Sequence, residues 1–295
     1  MKIQQKIKNR LIRFSVTLWP ETAEQKAARG RLVSEVSRLA NEGSKSADQI
    51  KDREDAWNKY RITLRSYIEK NDPRNFLRWD PIVGSMFHFA DKGELEHLQK
   101  SQWDKWRKVV VETWVGNPPR YKHYRDSSGN LVHTAYNLSL LIDACGIDLK
   151  KIHTIIEFGG GYGLMTRIVH QLGFSGSYTI FDIPEFLALQ KYYLQLTGTS
   201  GKISSIDQVS KITTINPDIF IATWSLSESP IALREEFLKK IGTPSYVLIA
   251  YQATFGSIDN STYFAEYQKA RAEYQWTHFA IPQIPGNYYL IGKKI

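Results

Sequence analysis

The sequence predicts an α/β protein: an open, mainly parallel sheet of seven strands with an antiparallel last strand, preceded by a helical N-terminal cap. Residues 154–184 read as a strand, a glycine turn, a helix and a second strand. Residues 276–292 read as two strands joined at Pro285-Gly286-Asn287, the signature of a hairpin. Residues 21–69 are charged with helical spacing and carry no strand pattern. The expected division is a cap at 1–130 and a ligand-binding sheet domain at 131–295.

In chain order, residues 1–19 hold Lys2, Lys6, Lys8, Arg10 and Arg13 with no acid, and Ile3, Ile7, Leu11, Phe14 and Leu18 recur at helical spacing. Such a basic amphipathic stretch suits either packing on the protein body or peripheral contact with an anionic membrane. Two charged helices follow, separated by a polar break at 41–48. Residues 71–100 mix turn signals with Phe76, Trp79, Phe87 and Phe89. Trp103, Trp106, Val110 and Trp114 then recur at three and four, predicting one amphipathic helix with an aromatic stripe. Gly116-Asn117-Pro118-Pro119 ends it. A polar turn at 126–130 precedes the helix that leads to the sheet domain.

The run TIIEFGGGYGLMTRIVHQLGFSGSYTIFDIP at 154–184 organises the rest. Its first strand breaks into Gly159, Gly160, Gly161 and Gly163, positions where the backbone passes close under a ligand. Its second strand ends on Asp182, the arrangement that accepts the two hydroxyls of an adenosine ribose. A dinucleotide fingerprint would need glycine at position 164, which is Leu164. The chain has instead acid-x-Gly-x-Gly-x-Gly, from Glu157 through Gly159, Gly161 and Gly163. A carboxylate two residues before the first glycine sits poorly beside a pyrophosphate and well beside a cationic ligand. Downstream come a helix at 185–196, a weak strand Lys202–Ile206, a strong strand at 218–224, a helix opened by Pro230, a strand at 245–250 and the final hairpin.

These residues resemble the first and second cofactor motifs of class I S-adenosylmethionine-dependent methyltransferases. EFGGGYG followed by FDIPEF is similar, more narrowly, to the sugar O-methyltransferases of bacterial surface-polysaccharide clusters. The resemblance implies S-adenosylmethionine as cofactor, with Asp182 on the ribose and Ile183 over the adenine. It also implies that Glu157 orders the glycine loop or takes the amino group through water, and that Trp224 and Ser225 flank the methionine part. The implied acceptor is a sugar hydroxyl, nucleotide- or lipid-linked, in surface glycan assembly.

Transfer to such a hydroxyl calls for a base. Plant-type O-methyltransferases place a His-Asp pair after the fourth strand, where this chain has Ser227-Glu228. Glu228 is therefore the first candidate for base or metal ligand, with His133 and His123 next. No dense carboxylate cluster marks a metal site. The competing readings are a methyltransferase for nucleic acid or a small natural product, a non-catalytic nucleotide-binding protein, and a nicotinamide reductase.

Composition bounds these readings. With 295 residues, 42% hydrophobic, the chain buries a full core. A single cysteine, Cys145, excludes an internal disulfide and a cysteine-rich metal site. No apolar run approaches the roughly 20 residues of a membrane-spanning helix, and the start lacks a secretory pattern, so a cytoplasmic location is expected. The net charge of +9 is uneven: residues 1–130 carry 26 Lys and Arg against 17 Asp and Glu, whereas 131–295 carry 13 of each. The basic character belongs to the cap, where Arg120, Lys122 and Arg125 suit an anionic sugar or its diphosphate carrier. Nucleic acid is not the expected partner, because the fourth strand lacks the Asn/Asp-Pro-Pro-aromatic run of many base amino-methyltransferases.

Overall fold

The computed structural model describes residues 19–43, 55–87 and 90–295. The basic stretch 1–19 lies, apart from Trp19, outside the described residues, as does most of the polar break at 41–48. The chain divides into two compact units, one of Met1–Thr134 with Pro184–Thr199, the other of Ala135–Ile183 with Ser200–Ile295. The cap drawn from sequence did not include the segment Pro184–Thr199.

Chain order gives α1 (Ala23–Gly43), α2 (Asp55–Lys70), α3 (Asp80–Met86), α4 (Lys92–Lys100), α5 (Trp103–Val109), the short strands β1 (Arg120–Tyr121) and β2 (Tyr124–Ser128), and α6 (Gly129–Cys145). There follow β3 (Thr154–Phe158), α7 (Leu164–Gln171), β4 (Ser177–Phe181), α8 (Pro184–Leu196), β5 (Lys202–Ile206), β6 (Ile219–Thr223) and α9 (Ile231–Ile241). The chain closes with β7 (Tyr246–Gln252), β8 (Thr254–Phe255), β9 (Ile258–Asp259), α10 (Asn260–Lys269), β10 (Tyr274–Ala280) and β11 (Asn287–Lys294).

In the first unit, Ala28, Leu32 and Val36 recur every four residues on α1 and are all buried, the spacing that lines one helical face. That helix packs against α8 and α2. Phe76 sets its ring edge against Tyr192 and Tyr193 of α8 at 6.2 and 6.1 Å. At the head of α8, the fully buried Glu185 receives Arg61 Nε at 2.8 Å and Arg65 Nε at 2.6 Å. Burial opposes its ionisation, yet the two guanidiniums hold the Glu185 carboxyl below the usual carboxylate range.

The helix expected through Trp103 to Trp114 stops at Val109. Three consecutive valines, at 109, 110 and 111, are stiff at χ1 and weak helix formers. The backbone beyond them is taken by the β1–β2 segment, where Glu112 N–H donates to Asp126 O at 2.9 Å. Trp114 consequently leaves the helix, adopts φ +59°, and carries the Arg120 guanidinium over its ring at 4.0 Å.

The second unit holds a seven-stranded sheet in the order β5-β4-β3-β6-β7-β11-β10. Strands β3 to β7 are parallel, and β11 enters antiparallel between β7 and β10. The apolar runs Ile155-Ile156, Ile219-Phe220-Ile221-Ala222 and Val247-Leu248-Ile249-Ala250 are buried, as strands covered on both faces must be. Phe158, Phe181, Phe220 and Phe237 interlock in one core cluster with Tyr251 and Phe264. The sheet is thus the class I methyltransferase type of Rossmann-like fold, set by the strand order and the antiparallel β11. The order reverses between β3 and β6, and ligands of such sheets sit beyond the C-terminal strand ends at that reversal.

Among the described residues no helix is long and apolar enough to cross a membrane.

Candidate functional site

Around the strand reversal, the loop after β3 is built from left-handed backbone. Gly159, Gly161 and Gly163 have φ of +77°, +56° and +95°, values that glycine adopts without strain. Gly159 N–H donates to Phe181 O at 2.8 Å, tying the loop to the end of β4. A Cβ at Gly159 would lie 2.2 Å from the Ser225 Cβ, so the glycine is what lets this loop and the loop after β6 touch. The Ser225 hydroxyl donates across that contact to Phe158 O.

Beneath the loop, Glu157 is 2% exposed and accepts the Tyr178 hydroxyl at 2.8 Å. Burial pushes its carboxyl up to about 8; the charge of Asp182 adds to this, and the Tyr178 and Thr166 hydroxyls oppose it. Asp182 and Ile183 directly follow β4 and are half-buried. Asp182 N–H donates to Ile206 O at 3.1 Å, and Asp182 Oδ1 accepts the Ile183 N–H at 2.8 Å, which fixes the carboxylate against its own backbone.

After β6 comes Trp224 at φ +66°, a conformation rare for a bulky side chain and concentrated at functional sites. Its backbone N–H donates to Ala250 O at 2.6 Å and its Nε1 to Asn287 Oδ1 at 2.7 Å, so β7 and β11 both hold it. Glu228 follows in the same loop and is half-buried. Its Oε1 accepts Gln252 Nε2 at 3.3 Å, and the Ser227 hydroxyl reaches Gln252 Oε1 at 2.9 Å. Burial pushes the Glu228 carboxyl up to about 7, with the Gln252 amide pulling the other way. A carboxyl titrating near neutrality at a strand end has the proton affinity a general base needs.

The structure therefore gathers Glu157, the three motif glycines, Asp182, Ile183, Trp224 and Glu228 around the C-terminal ends of β3, β4 and β6. The two histidines fall in the first unit. His123 is exposed, with its ring 5.3 Å from that of Tyr121. His133 is 2% exposed on α6 and sets Nδ1 against the buried Glu94 carboxylate at 2.9 Å. Among the described residues no three His, Cys, Asp or Glu side chains cluster to hold a metal ion. The residue missed by sequence is Arg234, fully buried at the first buried position of the stripe 234, 237, 238, 241 that is otherwise apolar. A charged residue on an apolar helical stripe is the signal that marks it.

No family model matches the sequence, and no curated protein does. Among solved structures, the chain is similar to a SAM-dependent methyltransferase from Aquifex aeolicus, at 14% identity and TM-score 0.41, over 54% of this chain and 89% of that one. It is also similar to precorrin-6y C5,15-methyltransferase from Geobacter metallireducens, at 13% identity and TM-score 0.40, over 57% of this chain and 89% of that one. A third is ribosomal protein L11 methylase from Lactobacillus delbrueckii, at 18% identity and TM-score 0.38, over 55% and 79% of the respective chains.

Proposed function

We propose that the chain is an S-adenosylmethionine-dependent O-methyltransferase whose acceptor is a sugar hydroxyl on a nucleotide- or lipid-linked carrier. The observation that carries the cofactor assignment is the glycine loop with a buried acid beneath it and an acid at the end of the next strand. Asp182 supplies acceptor oxygens for the ribose hydroxyls, and Ile183 lies beside them as an apolar cover. Asp182 makes this end of the sheet acidic, the Glu157 carboxyl beneath the loop is raised to about 8 by burial, and the nearest cation in sequence, Arg167, is fully buried. That setting favours a cationic adenosyl ligand over a pyrophosphate.

The cofactor, when bound, supplies a methyl group on a positively charged sulfur that departs as a neutral thioether. The chain contributes position and proton uptake. Trp224 and Ser225, locked to β7, β11 and the glycine loop, border the reacting end. Glu228 would take the proton of an acceptor hydroxyl held against it, a contribution worth about 10² to 10⁴-fold. The sugar acceptor is supported by the EFGGGYG and FDIPEF resemblance. Its anionic carrier is supported by the basic first unit, in which Arg120, Lys122 and Arg125 are exposed on one short hairpin. Residues 1–19 are proposed to aid access to lipid-linked acceptors at an anionic surface.

Calorimetric titration with S-adenosylhomocysteine, and separately with NADH, tests the cofactor assignment, repeated on Asp182→Ala. Micromolar binding of the homocysteine product that is lost in the variant is the expected result. NADH binding without S-adenosylhomocysteine binding would overturn it.

A further inference from the structure

We infer that Arg234 and Asn260 are positioning residues that hold Glu228 at the mouth of the site. This rests on the reading of Glu228 as the base, and concerns how the fold keeps that side chain where it is. Each guanidinium nitrogen of Arg234 donates to the loop network. Its Nη2 donates to Ser227 O at 2.6 Å, its Nε to Ser229 O at 2.9 Å, and its Nη1 to Asn260 Oδ1 at 2.7 Å. Two of those targets are the carbonyls of the residues on either side of Glu228.

Asn260, fully buried at the first residue of α10, closes the loop. Its Nδ2 donates to Ser227 O at 3.1 Å and to Gln252 O at 2.9 Å. Gln252 is the residue whose amide meets Glu228 Oε1. A closed circuit thus runs from Arg234 through Ser227 and Ser229, past Glu228 and Gln252, and back through Asn260. The Arg234 guanidinium also lies 5.0 Å from the centre of the Tyr263 ring, which fixes its plane.

A buried guanidinium is an expensive way to attach a helix. An apolar residue of similar volume on that stripe would pack against the core without desolvating a charge. Ser227 and Ser229 are buried and their carbonyls need donors; Arg234 supplies both from the two sides of one carboxylate, and Asn260 adds the backbone carbonyl of that carboxylate's amide partner. Arg234, with its planar fork of five donors, matches divergent carbonyls in a way that lysine's single ammonium does not.

The test reads the Glu228 carboxyl directly. In the full chain, carbon-13 labelled at glutamate side chains, the Glu228 resonance is assigned by its loss in Glu228→Gln and titrated in wild type, Arg234→Met, Arg234→Lys and Asn260→Ser. Removing the clamp lets water reach the loop, and since burial is what raises this carboxyl, its midpoint should fall toward the ordinary glutamate range by about one unit or more in Arg234→Met. Arg234→Lys, which keeps a charge and part of the donor set, should fall between that variant and wild type. Asn260→Ser should move the midpoint in the same direction by less, and it decides the matter if Arg234→Met does not fold. An unmoved Glu228 midpoint in a folded Arg234→Met or Asn260→Ser protein, even with a lowered melting temperature, would overturn the positioning role. Calorimetry with S-adenosylhomocysteine on the same samples separates the two claims: absent binding in wild type counts against the cofactor reading, whereas a fixed midpoint counts against the clamp alone.

Discussion

Glu157 and Glu228 are two carboxyls at the same edge of the same sheet, both raised by burial, and they differ in what surrounds them. Glu157 is sealed beneath the glycine loop with a tyrosine hydroxyl on its oxygen. Glu228 is half-buried in a loop, held by an amide. A sealed acid shapes its surroundings and responds to charge placed nearby, whereas one that keeps an opening to the site can take a proton from an acceptor. In the proposed reading, the cofactor side is made of backbone and enclosed groups, and the acceptor side of a side-chain network.

The largest effect separating the two sides should come from Gly159→Ala. Its new methyl would meet Ser225 at 2.2 Å from backbone already at φ +77°, so loop and strand end must part. Affinity for S-adenosylhomocysteine should fall by at least about a hundredfold, near 3 kcal/mol, measured by calorimetry.

Next is the pH dependence of stability. The Glu157 carboxyl is raised in the folded state to about 8 from 4.5, so between those values the unfolded chain releases a proton that the native one keeps. Its contribution is fully present below pH 4.5 and is lost as pH rises through about 8. Glu157→Gln, which stays neutral, should melt above wild type at pH 8.5 and converge with it near pH 5, a difference on the order of a few kcal/mol at the alkaline end. Equal pH profiles would show that Glu157 is ionised in the free protein. The smallest effect is expected from Trp224→Phe, which leaves Asn287 Oδ1 without its indole donor and should cost about 1 kcal/mol in thermal unfolding.

What the sequence showed and what it hid follow the same contrast. Glu157, the glycines and Asp182 are legible because a strand, its turn and the next strand lie within 31 consecutive residues, and local chemistry identifies each. Pro285-Gly286-Asn287 announced the β10–β11 hairpin for the same reason. The circuit that supports Glu228 was not legible: Arg234, Gln252 and Asn260 come from three separate elements, and only their folding together makes it. His133 finds its partner Glu94 39 residues earlier, a distance at which spacing says nothing. The aromatic stripe at 103–114 misled because helical periodicity outran a valine run whose backbone was wanted by a hairpin.

The most direct measurement pairs binding with transfer in one variant, Glu228→Gln. S-adenosylhomocysteine affinity is taken by calorimetry, and methyl transfer from radiolabelled S-adenosylmethionine is followed into pooled nucleotide-linked and lipid-linked sugars, with RNA as a separate acceptor. Unchanged affinity together with transfer to the sugar pool reduced by about a hundredfold or more is the expected result. Transfer at the wild-type rate, affinity lost in step with transfer, or label entering RNA instead of sugar would contradict the division of the site into a cofactor side and a Glu228-centred acceptor side for sugars.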